Sequence, residues 1–401
     1  MRRFFAAIIT ICISLGISHP SRGQSQVQVN DPRVEYSFGG TLTIEAEINS
    51  EIPIQNIRIH LQSDTSERQI IEQIPGTSTS DLFFSMDLSQ TPLPVFSNVE
   101  YWFHFELEGG QISDSQKFSF QYEDNRFPWQ SIETEEFAIH WYEGDSEFGE
   151  RILNFAYEGL ARLGNQVSIP APKKITYYVY ASSQEMQSTL QLSGQNAGWI
   201  AGHAEPKSGV ILVSIAPGPA DTLEIKRQIP HELTHVMLYQ KLGQGYQNLP
   251  IWLSEGLAST VELFPNPDYP TLLDIAYQQG VLLQIADLCQ RFPNDANNFL
   301  LAYAESTSFV WYLQGEFGIS SMETLLNSYA NGMDCNRGVE VAYGKNLQEL
   351  ERDWRRLTLN ENPLISSFVG FLPWLIVFMV LMLPSVGLVI TDTVKRRNSK
   401  R

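Results

Sequence analysis

Alternating apolar and polar residues dominate the first third of the chain. Leu42, Ile44 and Ile48 alternate with polar residues, which is the period of two typical of a strand with one buried face. Similar faces recur at 57–61, 101–107 and 118–122. Several short strands with turn signals between them predict an all-β, immunoglobulin-like sandwich over residues 24–123.

The pattern changes after residues 124–129, which break the alternation and are typical of a domain joint. Beyond them, strands are predicted at 137–141, 175–180 and 209–215, and helices at 147–162, 299–317 and 347–357. Ser182 with Glu185 forms a capping box that predicts the start of another helix. The chain is therefore predicted to be multidomain, with an α+β domain over residues 135–360.

The N-terminal residues have the pattern of a secretory signal. Arg2 and Arg3 precede an apolar run from Phe4 to Ile17, and small residues at Ser21 and Gly23 suit cleavage before Gln24. We expect residues 1–23 to be a signal peptide. An uncleaved anchor is the alternative, although the apolar run is short for a membrane span.

Near the C-terminus, residues 368–390 carry no charge and are long enough to cross a bilayer as a helix. The tail 391–401 that follows is basic, which under the positive-inside rule predicts a cytoplasmic end. A core helix is the alternative. We expect a single-pass type I protein of the cell membrane, with its catalytic domain extracytoplasmic and its C-terminus cytoplasmic.

The composition narrows the choice of partners. The formal net charge is −18 at pH 7, and the basic residues concentrate at the two ends of the chain. An acidic surface without a basic aromatic patch excludes nucleic acid as a partner. Outside the signal peptide two cysteines remain, Cys289 and Cys335. In an oxidising compartment they could form one disulfide, and two buried free thiols are the alternative.

The segment from His231 to His235 reads His-Glu-Leu-Thr-His. On a helix, positions i and i+4 share one face, so both imidazoles can reach one metal ion. Glu232 lies beside them, where a carboxylate can take the proton of an activated water. A catalytic zinc usually has three protein ligands, and Glu255, on a second predicted helix, is the candidate for the third. The alternative is a solvated helix face that carries two histidines by chance.

Together with the Trp-Leu-x-Glu-Gly-x-Ala segment around Glu255, this motif resembles the gluzincin metallopeptidases of the peptidase MA-like superfamily. The resemblance covers about residues 135–360 and implies a thermolysin-like α+β domain. It implies that His231, His235 and Glu255 bind one Zn²⁺ and that Glu232 is the general base.

The resemblance has departures and one further candidate. Pro230 directly precedes the motif, where we expect it to start or kink the helix. Ala258 stands where the thermolysin branch has an aspartate that orients a ligand, so another group must hold the imidazoles. Tyr303 lies on a later predicted helix, as does a tyrosine that several gluzincins use to stabilise the oxyanion. A packed aromatic side chain is the alternative.

The sequence therefore predicts a membrane-anchored, extracytoplasmic zinc metallopeptidase that acts on a peptide or protein substrate. An edge strand at 209–215, or the segment 197–204, could pair with an extended peptide by strand addition. One alternative is a catalytically silent, membrane-tethered binding or scaffold protein on a peptidase fold. Another is a zinc hydrolase that acts on other acyl compounds.

Overall fold

The computed structural model describes residues 27–66, 69–74, 81–194 and 202–359. These residues divide into two compact units. The first comprises the described residues up to Arg126 together with 191–194, and the second comprises 127–190 and 202–359.

The first unit consists of antiparallel strands. In chain order these are β1 Val27–Tyr36, β2 Thr41–Ser50, β3 Ile54–Ser63, β4 Gln69–Ile74, β5 Asp81–Asp87, β6 Ser97–Leu107, β7 Ile112–Asp114 and β8 Phe118–Tyr122. One sheet has the order β1-β2-β5, and the other has the order β4-β3-β6-β7, with β8 also paired to β6. Each sheet buries its apolar face, as at Leu42 and Ile44 of β2 and at Phe103 and Phe105 of β6.

The second unit is built on a mixed sheet. Its strands are β9 Gln130–Glu133, β10 Phe137–Trp141, β11 Ile175–Tyr180, β12 Gly202–Glu205 and β13 Val210–Ser214. Their order is β12-β13-β11-β10-β9; the central pairings are parallel, and both outer strands run antiparallel to their neighbours. One face of this sheet joins the main apolar core, to which the helices α1 Ser146–Gly164 and α3 Asp221–Leu242 also contribute.

Most of the remaining helices of this unit come after the last strand in the sequence. They are α2 Ser183–Leu192, α4 Ile251–Val261, α5 Tyr269–Gln279, α6 Ala296–Ala330, α7 Cys335–Tyr343 and α8 Leu347–Thr358. Short 3-10 helices lie at Gly243–Asn248 and Ile285–Leu288, and α6 is broken at Gly318, which has a φ of 75°. Helix α4 packs against both α3 and α6. Of the two alternatives for the cysteines, the structure has the disulfide, between Cys289 and Cys335.

The predicted fold class, with its C-terminal transmembrane helix, and the predicted single-pass cell-membrane localisation are wrong as stated. In the part of the chain that the structure describes, no helix combines the length and the apolarity needed to cross a bilayer. A span requires about 20 consecutive, predominantly apolar residues in one helix, and the prediction rested on the composition of an apolar run alone. The segments 1–23, 368–390 and 391–401 lie outside the described residues. What is described is a β-sheet unit followed by a mixed, mainly helical unit.

Helix α6 buries a carboxyl group completely, and this should make the stability depend on pH. Glu305 accepts a hydrogen bond from the backbone N–H of Leu283 at 2.8 Å, and its other oxygen has no partner among the described residues. Burial raises the pKa of Glu305 to about 8, against the attraction of Arg355. Between pH 4.5 and 8 the folded state therefore holds a proton that the unfolded state has lost, so the free energy of unfolding falls as the pH rises.

We expect this fall to be at most about 5 kcal/mol, at about 1.4 kcal/mol for each pKa unit. Glu305→Gln keeps the shape of the neutral carboxyl and should remove the part of the slope that Glu305 contributes. Urea unfolding of the full chain at pH 5, 6.5 and 8 measures it, with the exposed Glu316→Gln on the same helix as the control. Equal slopes in the wild type and Glu305→Gln would contradict the expectation.

Candidate metal centre

Helix α3 carries the histidine motif in its middle. Because His231 and His235 are four residues apart on this helix, their imidazoles lie on one face, with ring centroids 5.2 Å apart. Both side chains are largely buried. The helix begins at Asp221, well before the motif, so Pro230 lies inside it. The expectation that Pro230 starts the helix is therefore not met.

Helix α4 brings Glu255 to the two imidazoles. Its Oε2 lies 3.3 Å from Nε2 of His231, and its Oε1 lies 3.7 Å from Nε2 of His235. One ligand atom from each of the three residues lies within 4.8 Å of the others, so the group could hold a metal ion. Within the described ranges no other cluster of histidine, cysteine and acidic side chains meets this criterion.

These three residues fit a zinc ion in donor type and in spacing. Tetrahedral zinc with ligands at 2.0–2.2 Å requires neighbouring ligand atoms to be about 3.3–3.6 Å apart. The carboxylate-to-imidazole distances of 3.3 and 3.7 Å are close to this range. Two imidazoles and one carboxylate are also the ligand set of catalytic sites that keep the fourth position open.

The electrostatics of the group favour a cation. Burial lowers the pKa of His235 to about 4, so this imidazole is neutral near pH 7 and its lone pair is available to a metal. Burial alone would raise the pKa of Glu255, but the charges of His235 and His231 lower it to about 2. Burial alone would lower the pKa of His231, yet its hydrogen bonds to Glu255 and Glu262 raise it well above its ordinary value. An ionised Glu255 beside a neutral His235 is thus favoured, and this arrangement suits a bound cation.

Two further side chains orient the imidazoles, and the sequence analysis identified neither of them. Oε1 of Glu262 lies 3.0 Å from Nδ1 of His231, and the hydroxyl of Tyr246 lies 3.0 Å from Nδ1 of His235. Holding Nδ1 leaves Nε2 of each ring directed toward Glu255, which is the usual arrangement around metal-binding histidines. Glu262 follows Glu255 by seven residues, two helical turns, and this spacing was the available signal. Tyr246 lies on a 3-10 helix, where no periodicity marks it.

Pro230 also affects the second helix of the centre. A proline lacks the N–H that would bond to the carbonyl four residues earlier, here that of Lys226. That carbonyl instead accepts a hydrogen bond from the backbone N–H of Leu263 at 2.9 Å. Leu263 directly follows Glu262, at the end of α4. The proline therefore frees a backbone acceptor that ties α3, which carries both histidines, to the end of α4.

Glu232 lies in a confined position beside strand β12. A Cβ atom placed on Gly202 would be only 2.4 Å from Oε1 of Glu232, so the strand backbone passes directly over this carboxyl group. Burial raises the pKa of Glu232 to about 7, with His231 opposing the shift and Glu255 adding to it. The carboxyl group is close enough to interact electrostatically with both of these ligand candidates.

Tyr303 of α6 borders the same centre. Its hydroxyl is close enough to Glu255 to help lower the pKa of that carboxyl group, and its ring centroid lies 6.2 Å from that of His231. Phe292 and Phe299 pack against the other edges of the ring. The structure thus brings all five residues singled out in the sequence to one place: His231, Glu232, His235, Glu255 and Tyr303.

Comparison with known proteins identifies the family of this chain. Residues 155–360, half of the chain, match the family model described as Peptidase MA superfamily. The chain belongs to the peptidase MA superfamily. This membership confirms the predicted superfamily, and the narrower gluzincin assignment, with its zinc chemistry, stays a prediction. No curated protein matches the chain.

Solved structures add little to this membership. The chain has 14% identity to OgpA from Akkermansia muciniphila, over 25% of this chain and 29% of that one, with a TM-score of 0.22. It has 12% identity to BC0361, a polysaccharide deacetylase from Bacillus cereus, over 42% and 55% of the two chains, with a TM-score of 0.20. The match thus spans less than a third of OgpA. Similarities this weak support no conclusion about the fold or function of this protein.

Proposed function

We propose that this protein is a zinc-dependent peptidase of the gluzincin type, with His231, His235 and Glu255 as the ligands of one Zn²⁺. The observation that carries the proposal is the meeting of these three side chains, with carboxylate-to-imidazole distances of 3.3 and 3.7 Å. Glu262 and Tyr246 support it, because they hold the Nδ1 atoms and leave both Nε2 atoms for a metal. Membership of the peptidase MA superfamily supports a peptide bond as the target.

When bound, the zinc ion would supply Lewis-acid chemistry, polarising the scissile carbonyl and lowering the pKa of a water molecule. Glu232 would accept the proton of the attacking water on a carboxylate oxygen and deliver it to the nitrogen of the leaving amine. Tyr303 would donate a hydrogen bond from its hydroxyl to the carbonyl oxygen as negative charge develops there. The aromatic rings around Tyr303 would limit its movement.

The substrate class follows from the strand beside Glu232. Strand β12 ends the strand order of its sheet and is paired with β13 on one side. An extended peptide can add to such an edge through main-chain hydrogen bonds, which would carry its backbone past the Glu232 carboxyl group. Gly202 lets β12 itself lie this close to the Glu232 carboxyl group, because it has no side chain. We therefore propose extended peptide segments as the substrates.

Metal analysis of the full chain tests the proposal. We expect about one zinc per wild-type chain after exhaustive dialysis, and zinc-dependent cleavage of a mixture of fluorogenic peptides. His235→Ala should lose both, since two remaining ligands hold zinc poorly. His104→Ala, in strand β6 of the first unit, is the matched control and should keep both. A folded wild-type protein that binds no zinc would refute the proposal.

A further inference from the structure

The helix that carries Glu255 has an unusual anchor at its start. Helix α4 has Pro250 as its N-cap residue, and this residue provides no side-chain hydrogen bond to the helix. The first N–H groups of a helix have no partner within it, so something else must bond to them. The N–H of Ile251 donates to the backbone carbonyl of Cys289 at 3.0 Å, so a residue remote in sequence caps the helix.

A second bond reaches the same turn of α4 from the other cysteine. The indole N–H of Trp252 donates to Sγ of Cys335 at 3.4 Å. The Trp252 side chain is fully buried and packs against Phe309, with ring centroids 5.1 Å apart. Because Trp252 precedes Glu255 by three residues, the two side chains belong to the same turn of the helix. The position of this turn sets the position of the Glu255 carboxylate.

The two bonding partners of α4 are the two halves of one disulfide. Cys289 follows the 3-10 helix Ile285–Leu288, and Cys335 begins α7, 46 residues later in the sequence. The S–S bond holds these segments together, and the segments in turn hold the start of α4. Both cysteines line a cavity of about 830 Å³.

We propose that the Cys289–Cys335 disulfide positions the metal centre, so that reducing it lowers the affinity of the protein for zinc. The proposal rests on the metal site proposed above. Once the S–S bond is broken, the 3-10 helix and α7 are no longer covalently joined, and the Cys289 carbonyl and the Cys335 sulfur can move apart. The first turn of α4 then loses its fixed partners, and Glu255 is held less closely to His231 and His235.

The reduction takes two electrons and two protons from a small dithiol. A thiolate of the reagent attacks one cysteine sulfur, breaking the S–S bond and forming a mixed disulfide with the protein. The second thiol of the reagent then displaces the protein sulfur and closes a cyclic disulfide. The protein is left with the thiols of Cys289 and Cys335. Reoxidation in air or by an oxidised dithiol reverses the change.

The test is the zinc affinity of the full chain, measured by competition with a chromophoric chelator. Affinity is compared for the oxidised protein, for protein reduced with a dithiol that is then removed without oxygen, and for reoxidised protein. We expect about tenfold weaker binding after reduction, a loss typical of removing groups that orient metal ligands, and recovery on reoxidation. The Cys289→Ser, Cys335→Ser double variant should bind as weakly as the reduced protein, which excludes zinc binding by the freed thiols as the explanation of any change.

Two tryptophan variants separate positioning from general stability. Trp252→Phe removes the indole donor to Cys335 and should weaken zinc binding even in the oxidised protein. Trp354→Phe removes a donor from an equally buried indole, which bonds to Ser308 at 3.0 Å, and should leave the affinity unchanged. The absorption spectrum of Co²⁺ bound in place of zinc should change in Trp252→Phe and not in Trp354→Phe.

The possible outcomes distinguish this inference from the proposed function. Equal zinc affinity in the oxidised and reduced proteins would overturn the role of the disulfide and leave the metal site standing. Equal weakening by Trp252→Phe and Trp354→Phe would also overturn it, because the effect would then be one of stability alone. An oxidised, folded protein that binds no zinc would overturn the metal site itself. If the double variant does not fold, the tryptophan pair decides.

Discussion

Glu232→Gln is expected to bind zinc as the wild type does and to lose peptide hydrolysis by about 10²–10⁴-fold, the usual contribution of a general base. The amide has nearly the same shape as the carboxylate but cannot accept a proton. Glu232 is also not one of the three candidate metal ligands, so metal content should not change. The measurement is kcat on a fluorogenic peptide together with zinc content, both for the full chain.

The matched control is Glu224→Gln, which neutralises another glutamate on the same helix, in its first turn. This variant should keep both zinc and activity. His235→Ala should lose both, so the three variants separate binding of the metal from transfer of the proton. Wild-type activity in Glu232→Gln would show that Glu232 is not the general base.

Gly202→Ala should lose activity by at least about tenfold with its zinc content retained. A Cβ at this position would lie 2.4 Å from Oε1 and 2.7 Å from Cδ of Glu232, closer than atoms can approach without a shift. The carboxyl group must then turn away from the centre, or β12 must move outward. Displacing a catalytic group by even about 1 Å can cost 10²-fold in rate. Steady-state kinetics of the full chain measure the loss.

Gly315→Ala is the control for this substitution. Gly315 lies in α6, and outside the backbone of that helix no atom of the described residues lies within 4 Å of an added Cβ, so the change should leave the activity as it is. Gly256 is also tightly packed, but it is unsuitable as a control because a Cβ there would clash with the backbone of α6. If Gly202→Ala retains wild-type kcat and KM, the carboxyl group of Glu232 is not confined by β12.

The sequence was sufficient to predict which side chains meet at the centre, for a local reason. The spacing of His231 and His235 determines their shared helix face whatever surrounds the helix, and the motif leads directly to Glu232. Glu255 was found through its own short segment. These are local patterns, and the structure brings the residues together. Whether they bind zinc and hydrolyse peptides stays a prediction.

The surroundings of the centre could not be predicted, because they depend on contacts between distant segments. Tyr246 contacts His235 because a 3-10 helix places it there. The sulfur of Cys335 contacts Trp252, which lies 83 residues away in the sequence. A pattern within one segment contains no information about such pairings. The membrane prediction was wrong for a different reason: it rested on apolar composition alone, and none of the described helices is long and apolar enough for a span.

Pro230 makes the link between α3 and α4, the two helices that carry the proposed metal ligands, resistant to mutation. The bond from Leu263 to the freed carbonyl of Lys226 joins two main-chain groups, so exchange of either side chain leaves both atoms in place. Replacing Pro230 would return the N–H that competes for that carbonyl. On helix propensity alone, such a replacement looks favourable by about 3 kcal/mol. A search for a more thermostable variant would therefore favour a substitution that weakens the hold of this helix on its neighbour.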